Sequence, residues 1–271
     1  MFKKYWKFFV IFWSVVLVGI IGVFVFFWLI SAGKLGFMPT FEELENPNNR
    51  FASEVYFADG PIMNRYFEKE NRKYIEYREI PQSVIDALIA TEDVRFYDHS
   101  GVDVRGLFRV AKGLLTANTS AGGGSTISQQ LAKMLFPRES DLNVFELAIC
   151  KFREWVIAVR LEKSYTKEEI LTMYLNKYDF LNLAVGISSA ADIYFQVPLD
   201  SLKVEQAAML IGMAKNSSYY NPVRRPELTL NRRNVVLSQM YKYDKITREE
   251  CDSLKKLPLG LNFKRVDHKE G

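Results

Sequence analysis

The run FFVIFWSVVLVGIIGVFVFFWLI, from Phe8 to Ile30, holds no charged side chain. Ser14 is its only non-apolar side chain apart from the two glycines, Gly19 and Gly22. A helix of that length, rising ~1.5 Å per residue, reaches across a bilayer core of about 30 Å. Lys3, Lys4 and Lys7 precede it, so the positive-inside rule leaves residues 1–7 in the cytoplasm and everything from Ser31 onward outside. A cleaved signal peptide is the competing reading, since Ser31-Ala32-Gly33 is small enough to be cut. The apolar run exceeds a usual signal core, and a retained single-pass anchor is the expectation.

The rest of the 271 residues can hold one large domain with appendages, and an apolar share of 48% describes a folded chain. A net charge of +4 gives no argument for nucleic acid as a partner. Cys150 and Cys251 are too few for a disulfide framework, though one bridge is chemically open outside the cytoplasm. With His99 and His268 the only histidines, a zinc or iron centre has no ligand set.

Residues 31–50 read as a membrane-proximal connector. EVYFADGPIMNRYF, Glu54 to Phe67, alternates around Asp59-Gly60 and predicts a β-hairpin. From Pro81 the period turns helical, with Val84, Ile85, Leu88 and Ile89 on one face and an end near Glu92. Residues 107–121 mix apolar and basic positions, either a basic amphipathic helix at lipid headgroups or a core helix with exposed cations. Glu146 to Lys163 predicts a long helix with Ile149, Phe152, Val156 and Val159 facing one way, and Thr166 with Glu169 opens the next as a capping box. LAVGISSAADIYF, VEQAAMLIGMA and NRRNVVLSQMYKY predict further helices. Without a strand–helix rhythm, a doubly wound sheet is excluded, and the fold class is mainly α with a small β element.

Three stretches could carry chemistry. ATEDVRFYDHSG places Glu92 beside Asp93 at a helix end, either a working carboxylate or a solvated charge. AGGGSTISQQLAK leads three glycines into Ser125 and Thr126, and Thr126 with Gln129 fits a capping box. Its helix start would suit an anion, with Lys133 two turns further in, and no GK[ST] closes it into a nucleotide phosphate loop. In KFREWVIAVRLEK, Lys151 and Glu154 share a face, either as a surface pair or as a carboxylate kept charged by cations. Two acids, an anion site and several cations fit chemistry at a sugar whose leaving group is a phosphate.

EDVRFYDHSG, GGSTISQQLAK, KFREWVIAVRLEKSYTKEEILTMYLN, VGISSAADIYF and AAMLIGMAKNSSYYNP resemble, in order, the five motifs of the peptidoglycan glycosyltransferases (glycosyltransferase family 51). These enzymes form the N-terminal half of class A penicillin-binding proteins and include monofunctional relatives. The resemblance implies a lysozyme-like fold with a membrane-proximal jaw, and polymerisation of lipid II into β-1,4 glycan strands with release of undecaprenyl pyrophosphate. It implies Glu92 as general base and Glu154 as second carboxylate. Ser125, Thr126, Gln129, Gln130, Lys133, Lys151 and Arg153 then bind substrate. A divalent cation, Mg or Mn, at the pyrophosphate is the one cofactor it admits.

The sequence departs from the family pattern at several positions, two of them cationic in the family. Cys150 and Glu146 stand where arginines are usual, Met134 follows Lys133, and Val185 replaces a tyrosine; Arg138, in a longer loop, is a candidate substitute cation. The implied organisation is a tail at 1–7, a membrane helix at 8–30, a connector and hairpin at 31–67, a glycosyltransferase domain at 68–251 and a linker at 252–271. That linker resembles the one leading into a transpeptidase domain in bifunctional relatives. Expected partners are lipid II, the growing glycan, membrane lipids and other cell-wall synthesis proteins, with the domain on the outer side of the inner membrane. A glycan-cutting lyase or hydrolase and a non-catalytic lipid II-binding scaffold are the alternatives.

Overall fold

The computed structural model describes residues 2–40, 43, 53–56, 62–66, 71–116, 123–139 and 141–264. The apolar run forms α1, Phe2–Ser31, which has the length and composition to cross a membrane. Most of its aromatic and aliphatic side chains lie exposed, whereas Val16, Phe26, Phe27 and Leu29 are half-buried and Ile30 is buried. The hairpin exists as β1, Ser53–Tyr56, antiparallel to β2, Ile62–Tyr66. The Asp59-Gly60 turn lies outside the described residues.

The remaining elements are helical apart from one short parallel pair. In that pair β3, Asn71–Arg72, lies beside β4, Ala184–Val185. The helices are α2 (Gln82–Glu92), α3 (Val104–Leu115), α4 (Ile127–Leu135), α5 (Val144–Ser164) and α6 (Lys167–Lys177). They continue with α7 (Ile187–Phe195), α8 (Val204–Met213), α9 (Pro226–Lys242) and α10 (Arg248–Lys256). The fold is mainly α, as the periodicity required.

The core forms where apolar helices meet. α8 is buried along most of its length, from Ala207 to Met213, because AAMLIGM offers no polar face, and it packs against both α2 and α9. α4 packs against α5 and α6. A single cluster runs from Ile75 through Leu88, Leu131, Ile157 and Tyr174 to Leu210 and Val236. At ~25 cal/mol per Å² of apolar surface removed from water, this cluster is the main favourable term in folding. Asn176 stitches an extended segment to it: its side chain donates to the Ile75 carbonyl at 2.9 Å and accepts from the Ile75 N–H at 3.0 Å.

Several sequence expectations are revised. LAVGISSAADIYF does not start as helix. Leu181, Asn182 and Leu183 all take positive φ, β4 follows, and the helix begins at Ile187. Gly186 precedes it with φ 85°, and a Cβ there would lie 3.0 Å from the Asn176 carbonyl oxygen. The long helix begins at Val144, where Asn143 and Glu146 form a reciprocal capping box, so Glu146 is committed to a helix end. The core stripe of α5 is Cys150, Glu154, Ile157, Ala158 and Leu161, whereas Ile149, Phe152, Val156 and Val159 are only half-buried. Phe152 instead meets Phe26 and Phe27 of α1 edge-on, so the helix serves two partners with two faces. Of residues 107–121, read either as a lipid-facing or as a core helix, 117–121 lie outside the described residues; where described, α3 buries Gly106 and Gly113, half-buries Leu107 and Val110, and exposes Val104 and Phe108. Cys150 and Cys251 are both buried and free.

Candidate active site

Glu92 is the last residue of α2, and Asp93 leaves helical geometry at φ −155°, ψ 74°. That break sends the two acids different ways. Asp93 turns inward, where its carboxylate lies 3.0 Å from His99 Nε2 and accepts the Ile127 N–H at 3.1 Å. His99 Nδ1 accepts from the Gly101 N–H at 3.2 Å, which leaves the ring proton on Nε2, facing Asp93. The Gly101 carbonyl accepts from Thr126 Oγ1 at 2.7 Å and from Gln129 Nε2 at 3.2 Å. Asp93, His99 and Gly101 therefore fasten the first motif to the start of α4.

This corrects two expectations at that helix start. Thr126 does accept from the Gln129 N–H, but the Gln129 side chain reaches Gly101, so the capping box is one-sided. The Ile127 amide is already bound to Asp93 and the Gln129 amide to Thr126. Protein groups thus occupy two of the amides that would otherwise meet an anion, and basic side chains add positive charge nearby.

Glu92 points into a cleft of about 1090 Å³. Seven basic side chains line it, Arg109, Lys133, Arg138, Lys151, Lys215, Arg232 and Lys242, against four acidic ones, Glu92, Asp93, Asp103 and Glu154. Glu92 is held on both oxygens: Gln130 Nε2 donates to Oε2 at 3.0 Å and Arg232 Nη2 lies 3.3 Å from Oε1. Glu154 comes from α5, and its side chain is only 6% exposed. Arg138 presents Nε at 2.8 Å and Nη2 at 2.7 Å to Oε1, while Lys151 reaches Oε2 at 2.9 Å and also donates to Ser125 Oγ at 2.9 Å. An acid this buried is tolerable only with such partners, since stranding it unpaired costs several kcal/mol, roughly 3–5 by analogy with broken buried pairs. The surface-pair reading of Lys151 and Glu154 is thereby excluded.

Of the sequence candidates, Glu92, Glu154, Ser125, Thr126, Gln129, Gln130, Lys133 and Lys151 all line this cleft. Arg153 does not. It lies beside Gly36, where an added Cβ would come 3.0 Å from its Nη1, near the end of α1. The reason is helical geometry: Lys151 and Glu154, three apart, share a face, and their neighbour Arg153 is turned ~100° from Glu154. Lys133 is exposed and forms no ion pair among the described residues. Two polar atoms at the cleft, Thr91 Oγ1 and Gln129 Oε1, are buried without a hydrogen-bond partner.

Arg232 escaped the sequence reading. It lies 140 positions from Glu92, in an arginine pair whose second member, Arg233, is fully buried under carbonyls of Lys255, Leu257 and Pro258. Its place was not legible because two adjacent arginines on one helix give no sign of which faces inward. Arg138, offered as a substitute cation, does sit on Glu154.

Two acids held by cations thus face one positively charged groove on a helical fold. Residues 59–241 match the Transglycosylase family, and the chain belongs to it. The chain is 35% identical over 226 residues to penicillin-binding protein 1A of Escherichia coli K12, spanning 83% of this chain and 26% of that one. It is 36% identical over 235 residues to penicillin-binding protein 1A of Haemophilus influenzae, spanning 87% and 26%. The chain thus covers about a quarter of the length of these curated relatives. A 2.6 Å crystal structure of the Haemophilus influenzae protein matches with a TM-score of 0.45 and 22% identity, over 80% of this chain and 22% of that one.

Proposed function

We propose that this chain is a membrane-anchored peptidoglycan glycosyltransferase that polymerises lipid II into β-1,4 glycan strands for cell-wall synthesis. The observation that carries the proposal is the convergence of Glu92, Glu154 and Lys133 on one cleft in which cations outnumber acids seven to four. A lipid diphosphate needs that excess, whereas a glycan-cutting enzyme needs a carboxylate without it.

In this reading Glu92 takes the proton from the acceptor's 4-hydroxyl as its oxygen attacks the anomeric carbon of the growing chain. The bond from that carbon to the phosphate oxygen breaks from the opposite face, inverting the α link to β. The electron pair leaves on undecaprenyl pyrophosphate, and the proton stays on Glu92. No acid need protonate the leaving group if its charge is met. Lys133, exposed and in no ion pair among the described residues, is the first cation available to it. Lys151 and Arg138 are held ready by Glu154, whose part is to keep two cations side by side in the cleft.

Among the described residues no group of three or more His, Cys, Asp or Glu converges as a metal cage. Glu92 and Glu154 are both already paired with basic side chains. The donor set suits a divalent ion that arrives on the diphosphate better than a resident one, and no step above passes through a metal. α1 serves as the single-pass anchor in this reading, with the domain outside the cytoplasm. Lipid II, the nascent glycan and membrane lipids are its partners, along with other cell-wall synthesis proteins. The proposed glycosyltransferase domain spans 68–251.

The test is to incubate the purified chain in detergent with lipid II and, separately, with finished glycan. Polymer from the first and no fragments from the second are expected. Glu92→Gln should lower the rate at least about a hundredfold, the usual range for losing a general base. Fragments from finished glycan would establish a cleaving enzyme instead, and an inert parent that still binds lipid II would establish a scaffold.

A further inference from the structure

Behind Glu92 lies a buried hydrogen-bond chain that the mechanism above does not use. A carboxylate can only accept, so the Gln130 amide must turn its nitrogen to Glu92, as it does at 3.0 Å. Its oxygen then faces the other way, and there the hydroxyl of Tyr174 donates to it at 3.0 Å. Tyr174 sits on α6 and is 1% exposed, deep in the core cluster. One turn further along, Tyr178 stacks on it at 6.0 Å between ring centroids and lines the cleft. Burial first, then the nearby Glu92 charge, pushes the Tyr174 phenol well above its ordinary 10.0. The hydroxyl therefore keeps its proton at any working pH and stays a donor.

We propose that Tyr174 is a positioning residue for the Glu92 carboxylate, acting through the side-chain amide of Gln130. The inference rests on the reading of Glu92 as base. An amide has two nearly isosteric ends, and nothing in its shape decides which end meets the carboxylate. The acceptor-only carboxylate selects the NH₂ end, and the buried hydroxyl of Tyr174, donating to the amide oxygen, holds the amide in that orientation and position. The orientation of the reacting carboxylate is thus specified from inside the core, two hydrogen bonds away. On its other side Glu92 has, among the described residues, only the longer contact to Arg232, at 3.3 Å.

The test compares kcat and KM for lipid II polymerisation among variants of the full chain. Tyr174→Phe keeps the ring and removes the donor. Its kcat should fall about tenfold with KM within about twofold, a coupling ordinary for neighbours in one network. Gln130→Ala should lower kcat at least as far, and adding Tyr174→Phe to it should change kcat by no more than about twofold, since the donor then has nothing to orient. Tyr194→Phe is the control: it also loses a buried phenolic donor, here to the Phe180 carbonyl, away from the cleft. It should lower the melting temperature and leave kcat unchanged. Wild-type kcat in Tyr174→Phe overturns the proposal, and so do losses that multiply independently of Gln130. A kcat loss accompanied by a melting-temperature drop larger than that of Tyr194→Phe also overturns it. Activity retained in Glu92→Gln would instead refute the reading of the base. An inactive Glu92→Gln beside a fully active Tyr174→Phe would refute only the present inference.

Discussion

Gly101 holds φ at 93°, and a Cβ on it would lie 2.7 Å from the Ala158 carbonyl carbon. Backbone on both sides leaves no flexible tip to give way, so the first motif ends in glycine because α5 passes against it. Gly101→Ala should cost roughly 2–4 kcal/mol, the sum of a strained φ and an overpacked contact, measurable by urea unfolding. Asp103 sits two residues on and pairs with Arg95 while accepting the Gly106 N–H. Burial alone would push its carboxyl up, but the Arg95 guanidinium and the Gly106 N–H outweigh that and hold it below the ordinary 3.8. A depressed value stabilises the fold above that pH, and the gain is lost as acid titrates the folded carboxyl. Asp103→Asn should therefore be the less stable protein at neutral pH, with the gap to wild type closing as pH falls below about 4. At this scale the motif acids and glutamines were legible from sequence. Arg232 was not, because its carboxylate lies 140 positions away. Arg153 was misplaced because one residue along a helix is a third of a turn.

At the level of elements, the sequence marked helices well where caps and period agreed. Thr166 and Glu169 form the reciprocal box that opens α6, as their spacing predicts. Periodicity alone did not rank the faces of α5, where a stripe carrying Glu154 and Lys151 turns toward the cleft. The apolar residues read as facing one way lie half-buried, with Phe152 against another helix. It also missed β3 and β4, since strands of two residues leave no alternation to read. The end of α7 carries a removable cost. Gln196 caps it in the left-handed region at φ 55°, ψ 40°, and is exposed. Glycine adopts that conformation without steric penalty, so Gln196→Gly should stabilise the domain by about 0.5–1 kcal/mol, read as a higher melting temperature with activity unchanged.

For the whole molecule, composition alone was a poor guide to charge. A chain of net +4 concentrates an excess of three cations in one groove. Such a field draws a diphosphate from a distance and is weakened by salt. KM for lipid II should therefore rise several-fold between about 50 mM and about 500 mM NaCl while kcat changes little, as the Debye length shrinks from roughly 14 Å to 4 Å. The contact between α1 and α5 carries a further implication. Arg160 donates to the Ser31 carbonyl and hydroxyl at 2.9 Å and to the Pro39 carbonyl at 3.0 Å, and Phe152 wedges against Phe26 and Phe27. Glu154 lies on that same rigid helix, between the two grips. Were α1 to cross a bilayer, a lean that matched the thickness of the surrounding lipid would be felt first at these two contacts, on the helix that also carries Glu154.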